Sequence, residues 1–294
     1  MNFDVAIVGG SFAGLSAALQ LARARRRVAV FDTSSRRNRF ATASHGFLAQ
    51  DGRAPEAIVA DARAQLSAYP TVRWFERKVN MARGHQDAFE LQAGEDTHHA
   101  RRIILSMGVV DALPDIPGLA ERWGRTVFHC PYCHGYELRQ GRIGVIATSP
   151  LSLHQAQLLP EWGSVTFFLN GALTLSQDEA RMLAARGVEV EAMPVTGIVG
   201  DARIMLADGR SESFSGLFTA SRTAPASPLA AQLGCEHEEG LLGPFVRTDA
   251  MKATSTPGVF ACGDLARAAG TVALAVGDGA LAGTAVHASL VFAH

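Results

Sequence analysis

A chain of 294 residues with a formal net charge of −1 offers no basic field to nucleic acid or to an anionic membrane surface. Its 48% hydrophobic and 19% charged residues suit a globular protein of one large or two modest domains. Neither a signal peptide nor an apolar run of membrane-spanning length is read from it, so a cytoplasmic location without a membrane partner is expected.

Residues 3–8 predict a short apolar strand, followed by the turn Gly9-Gly10-Ser11-Phe12-Ala13-Gly14. Helical apolar spacing then runs from Leu15 to Ala24, and residues 28–32 predict a second strand ending in Asp32. Strand, glycine-rich turn, helix, strand and acid form the opening of a dinucleotide-binding fold. Such a turn brings backbone amides to a pyrophosphate, the helix N-terminus stabilises its charge, and the acid accepts hydrogen bonds from a ribose diol. Ser11 replaces the middle glycine of G-x-G-x-x-G and is small enough for close approach. The competing reading is a purely structural glycine turn, and the elements around it favour the nucleotide site. The basic run 23–27 reads as a solvated helix C-terminus.

Residues 36–55 are polar and irregular, and strands are predicted near 70–79 and 87–93, ahead of the run RRIILSMG at 101–108. Two prolines and a glycine mark 109–118 as a hinge. A second strand–helix–strand unit follows at 142–147, 151–159 and 165–169, with further alternation to about residue 244. The tail predicts a strand at 258–264 and a small-residue helix at 272–292, and the strand belongs with the N-terminal material. The fold class expected is α/β: two Rossmann-like domains, with 118–244 inserted into a discontinuous first domain of 1–113 plus 246–294.

Chemistry concentrates in Cys130-Pro131-Tyr132-Cys133-His134-Gly135-Tyr136-Glu137. Two thiols separated by two residues close a small disulfide ring, and a helix start there lowers the pKa of one thiol. His134, directly after Cys133, is the preferred proton carrier, with His129 as the other candidate. A zinc site would need two more ligands at matching spacing, and Cys235 and Cys262 stand alone in apolar sequence, so no metal is expected. Those two read as small buried side chains.

The runs VGGSFAGLSAAL, LSMG before LPDIPG, CPYC and TPGVFACGD, in that order, resemble the low-molecular-weight thioredoxin reductase family over essentially the whole chain. The resemblance implies FAD in the discontinuous domain, held at Gly9, Ser11, Phe12, Ala13, Gly14, Asp32 and Gly108. It places Asp264 on the ribitol chain and Thr271 and Val272 near the flavin ring, and it implies a homodimer. A narrower similarity is to the thioredoxin-reductase-like dithiol oxidases of the gliotoxin and holomycin type, which share C-P-[aromatic]-C-H-G-Y-E. They also carry Arg-Asn shortly after the acid and a His seven residues beyond that Asn. In this sequence those are Arg37, Asn38 and His45, which the similarity assigns to FAD.

Thioredoxin reductases carry a second glycine-rich turn and an arginine cluster for NADPH. Here the turn reads Ala147-Thr148-Ser149-Pro150, and Asn170-Gly171-Ala172 stands where the arginines would be. Amide cradle and counter-charge are both missing, so NADPH binding in the usual manner is not expected. The expected reaction is oxidation of a small dithiol at Cys130 and Cys133, with His134 as acid–base and molecular oxygen as final acceptor. Two alternatives stay open: a reductase fed by NAD(P)H or ferredoxin that serves a thioredoxin-like protein, and an FAD-holding binding protein.

Overall fold

The computed structural model describes residues 2–292. The chain divides into two compact units: one built from residues up to 39, 47–110 and 223 onward, the other from 40–46 and 111–222.

The first unit opens with β1 (Asn2–Val8), α1 (Phe12–Arg23) and β2 (Val28–Phe31), then α2 (Pro55–Ser67). Four strands follow: β3 (Val72–Phe75), β4 (Val79–His85), β5 (Ala88–Ala93) and β6 (Asp96–Leu105). Their sheet order is β3-β2-β1-β6-β5-β4. Every residue of β2 is buried, as a strand covered on both faces of a parallel sheet requires. The ten-residue β6 changes partner along its length. Its first half pairs antiparallel with β5, and Ile103–Leu105 pairs in parallel with the tail strand Val259–Ala261. That pairing draws the C-terminal segment into the N-terminal sheet, on the edge of β6 away from β1.

On one face of the sheet α1 packs with the last helix, Val272–Val291, around Val5, Ile7, Leu21 and Val286. The last helix is 20 residues long with a windowed mean hydropathy of 1.3, long and apolar enough by itself to cross a membrane. The expectation of no such run is therefore corrected, and its packing explains why the helix is apolar. A Cβ on Gly279 would stand 2.0 Å from the Ala13 carbonyl, and one on Gly283 would stand 2.7 Å from that of Ala17. The small residues let two helix backbones touch. Asp278, buried in the same helix, is paired with Arg267 at 2.6 Å and Lys252 at 3.0 Å. The helix is thus a core element of this unit.

The opposite face of the sheet carries Phe3, Phe31, Phe89 and Leu105, together with Leu229, Ala230, Leu233 and Cys235. Those last four explain where the chain returns: at 223 in the structure, against 246 expected, because this apolar segment completes the first core. The basic run 23–27 lies at the surface as expected, with Arg23, Arg25 and Arg27 exposed; Arg27 lies 3.5 Å from Asp4 and Arg26 lies 3.2 Å from His287.

The second unit is centred on a five-stranded parallel sheet in the order Glu189–Glu191, Ser164–Phe168, Arg142–Ile146, Gly216–Thr219, Val127–Phe128. Its core holds Ile143, Val145, Phe167 and Phe218. A three-stranded antiparallel sheet, Val195–Val199, Arg203–Leu206 and Ser211–Ser213, covers Leu119, Trp123 and Leu217. The expected simple alternation through this stretch did not distinguish that sheet from more βα repeats.

Candidate active site

In the first unit the glycine turn is built for close backbone approach. Gly9 has φ +102°, and a Cβ on Gly14 would lie 1.8 Å from the Gly9 carbonyl oxygen. A Cβ on Gly10 would strike the Trp74 ring at 2.4 Å. The indole Nε1 of Trp74 is buried there with no hydrogen-bond partner. Ser11, at the N-cap of α1, makes no side-chain cap bond, so the first turn of the helix keeps its amides for a ligand. Phe12 and Ala13 open that turn. The Gly10 amide donates to Asp32 Oδ1 at 3.1 Å, which fixes the acid at the mouth of the turn. These features fit a dinucleotide cofactor.

The other expected cofactor residues of this unit converge from distant segments. Arg37 Nη1 lies 3.1 Å from Asp264 Oδ2, across 227 residues of sequence. Gly270 is pressed against Asp264, since a Cβ there would sit 1.9 Å from Oδ1. Thr271 is the N-cap of the last helix, its hydroxyl accepting from the Leu274 amide at 3.2 Å, and Val272 is the first helical residue. Gly108 has φ +71° and its carbonyl accepts from the Ala226 amide at 3.1 Å. Asn38 is half-buried in the turn after Arg37. His45 falls in the second unit, where its Nε2 is 3.5 Å from Glu137 Oε1.

The redox segment follows the strand Val127–Phe128 of the second unit. Cys130 is the N-cap of the short helix Pro131–His134 and is disulfide-bonded to Cys133, with Cα atoms 5.4 Å apart. Proline at the first helical position has no amide to lose and fixes the entry angle. Gln155 Nε2 donates to the His129 carbonyl at 2.8 Å, which anchors the chain just ahead of Cys130. His134 stacks on Phe128, ring centroids 4.1 Å apart and 15° from coplanar. Burial holds the His134 imidazole down at about 4, against the upward pull of the nearby Glu137 carboxylate. It is therefore neutral at neutral pH, and its Nδ1 is buried with no hydrogen-bond partner.

The remaining cysteines are buried and unbonded, and burial pushes the Cys262 thiol up to about 12, which leaves it unreactive. Among the described residues no group of His, Cys, Asp and Glu is arranged to hold a metal ion.

The second turn is closed by its own side chains. The Thr148 amide donates to Ser152 Oγ at 3.0 Å, and Thr148 Oγ1 donates to the Ala220 carbonyl at 2.7 Å. Ser152 is fully buried. At the end of the next strand Asn170 Oδ1 accepts from the Val195 amide at 2.9 Å, tying down the segment where a phosphate clamp would stand. Sequence reasoning noted the missing glycines but not Ser152 or Gln155. Single buried polar residues in an apolar helix carry no periodic signal, so neither could be singled out.

Three comparisons bear on this arrangement. Residues 3–279 match the family model for pyridine nucleotide-disulphide oxidoreductases. A protein of Leptosphaeria maculans, thioredoxin reductase sirT, is 32% identical over 97% of this chain and 93% of its own. Among solved structures, an oxidoreductase from Agrobacterium tumefaciens is 54% identical over the whole of both chains, with a TM-score of 0.98. HlmI is 38% identical over 99% of this chain and 93% of its own, with a TM-score of 0.91.

Proposed function

Because the chain belongs to the pyridine nucleotide-disulphide oxidoreductase family, as a thioredoxin-reductase-like flavoprotein, we propose that it oxidises small dithiols to disulfides through Cys130 and Cys133. FAD is the carrier in this reading and molecular oxygen the final acceptor. The observation that carries it is the closed turn at 147–150. The Thr148 amide that a phosphate would need is already bonded to Ser152, and Pro150 has no amide to offer. Electrons that do not enter from a nicotinamide enter from the thiol substrate.

The first thiolate of the substrate attacks Cys130, breaking the Cys130–Cys133 bond and releasing the Cys133 thiolate. The second substrate thiol then displaces Cys130, so that one substrate disulfide forms and one protein disulfide becomes two thiols. His134, neutral at the outset, takes up the proton released from the attacking thiol. Gln155 holds the backbone ahead of Cys130 in place through these exchanges. The glycine turn, Asp32, Arg37, Asp264 and the start of the last helix would hold FAD, which would supply the two-electron acceptor for the protein dithiol and the reductant for oxygen, with hydrogen peroxide as the balancing product. The reading requires a reducing, cytosolic setting in which dithiols persist, and a homodimer is the assembly it implies.

The relative from Leptosphaeria maculans, a thioredoxin reductase by name, points to a second reading, reduction of a thioredoxin-like protein. Anaerobic mixing separates the two. Under the oxidase reading a dithiol bleaches the flavin, Cys133→Ser abolishes bleaching, and oxygen restores the colour with one peroxide per disulfide. Rapid bleaching by micromolar NADPH or NADH would reject it in favour of the reductase.

A further inference from the structure

Thiol exchange demands that a substrate sulfur reach bonding distance of Cys130, so the body of the substrate must lie over the residues that flank the disulfide. Of the short helix Pro131–His134, Pro131 is buried and His134 is stacked on Phe128, and Tyr132 is the side chain left facing outward, 72% exposed. Tyr136 follows four residues later and is 85% exposed. The chain has three tyrosines, and two of them stand in solvent within these five residues. Two exposed rings this close together beside a reactive disulfide form a candidate contact surface.

Tyr132 is not loose. Its ring meets Trp162 edge to face, centroids 5.3 Å apart and planes at 88°. Trp162 is in turn wedged against the backbone of Gly135, where a Cβ would come within 2.7 Å of its Cγ. Glycine at 135 thus admits the indole beneath the helix, and the indole presets the tyrosine ring beside the disulfide. Of the carboxylates near this patch, Glu161 is paired with Arg186 at 2.5 Å, and Glu137 lies 3.5 Å from His45. Beside the disulfide the patch presents aromatic faces and hydroxyls. Such a surface complements a ring-bearing molecule.

We propose that Tyr132, held edge-on by Trp162 over Gly135, is a specificity-determining residue that packs against the ring body of a ring-bearing dithiol while its sulfurs engage Cys130. This rests on the dithiol oxidase reading and deepens it. Two readouts keep them distinguishable. One is the ratio of second-order rate constants with which ortho-xylylenedithiol and butanedithiol reduce the flavin-loaded enzyme. The other is calorimetric affinity for the cyclic disulfide of ortho-xylylenedithiol, which needs no turnover.

Tyr132→Ala should lower both the ratio and the affinity by about tenfold, the loss of one aromatic contact. Tyr132→Phe should restore both, and Trp162→Ala, checked for native circular dichroism, should lower both in the same direction. An unchanged ratio and affinity in Tyr132→Ala would overturn the assignment. Should the wild type turn over neither dithiol, the oxidase reading falls, and the affinity difference alone then decides the role of Tyr132.

Discussion

His134 shows how the burial of one side chain makes stability depend on pH. Its imidazole is kept neutral by burial against Phe128, with a folded value of about 4 against an ordinary 6.5. Above about pH 6.5 neither folded nor unfolded chain protonates it, and its contribution to stability is complete. As pH falls from 6.5 toward 4 the unfolded chain binds a proton that the folded one does not, so stability is lost through that window. His98 acts in the same direction, because it is buried among Phe31 and Phe75 with both ring nitrogens unpartnered, and burial lowers its pKa. We expect His134→Phe, which keeps the stack, to flatten the fall in Tm between pH 6.5 and 4.5, and His98→Phe to flatten it further. The same slope in all three proteins would reject burial as the cause. His134→Phe should also slow dithiol oxidation by roughly 100-fold at pH 7, less at pH 9 where substrate thiols ionise unaided.

At the scale of elements, the cofactor turn and the last helix are one piece of architecture. Gly9 and Gly14 nearly touch, and Gly279 and Gly283 bring the last helix onto α1 immediately behind that turn. Gly263, at φ +70°, sets Asp264 against the same region, its site for a Cβ lying 2.9 Å from Ala13 Cβ. A side chain inserted between the helices would move the turn as well as the core. Gly279→Val is expected to cost about 1–3 kcal/mol by overpacking, and to lower flavin retention on purification. Retention equal to wild type, in a protein destabilised by that amount, would show that the turn is independent of the last helix. The closed turn at 147–150 is the contrasting case, where the helix that begins at Leu151 is served from within by Ser152.

For the whole molecule, the core residues decide where one unit stops. Leu229, Ala230, Leu233 and Cys235 belong to the first core, whereas the second unit closes its own cores with Leu119, Val127, Phe167 and Phe218. A fragment of residues 111–222 should therefore unfold cooperatively and stay soluble. One of residues 118–244 would expose the apolar 229–235 segment and self-associate. Equal solubility and equal cooperativity in urea would contradict this division.

Local grammar was enough for the elements whose signals sit within a few consecutive residues. The βαβ opening with Asp32, the disulfide-forming pair and the glycine-free second turn could all be read in order along the chain. Spacing fixes such features, because a turn, a short ring or a helix start is determined by its own neighbours. Contacts between segments far apart in sequence were beyond that reach: Arg37 meeting Asp264, the apolar 229–235 segment completing the first core, and Trp162 bracing Tyr132. Each depends on which faces the packed sheets and helices bury together, and a single buried polar residue or a ring contact leaves no period for the sequence to display.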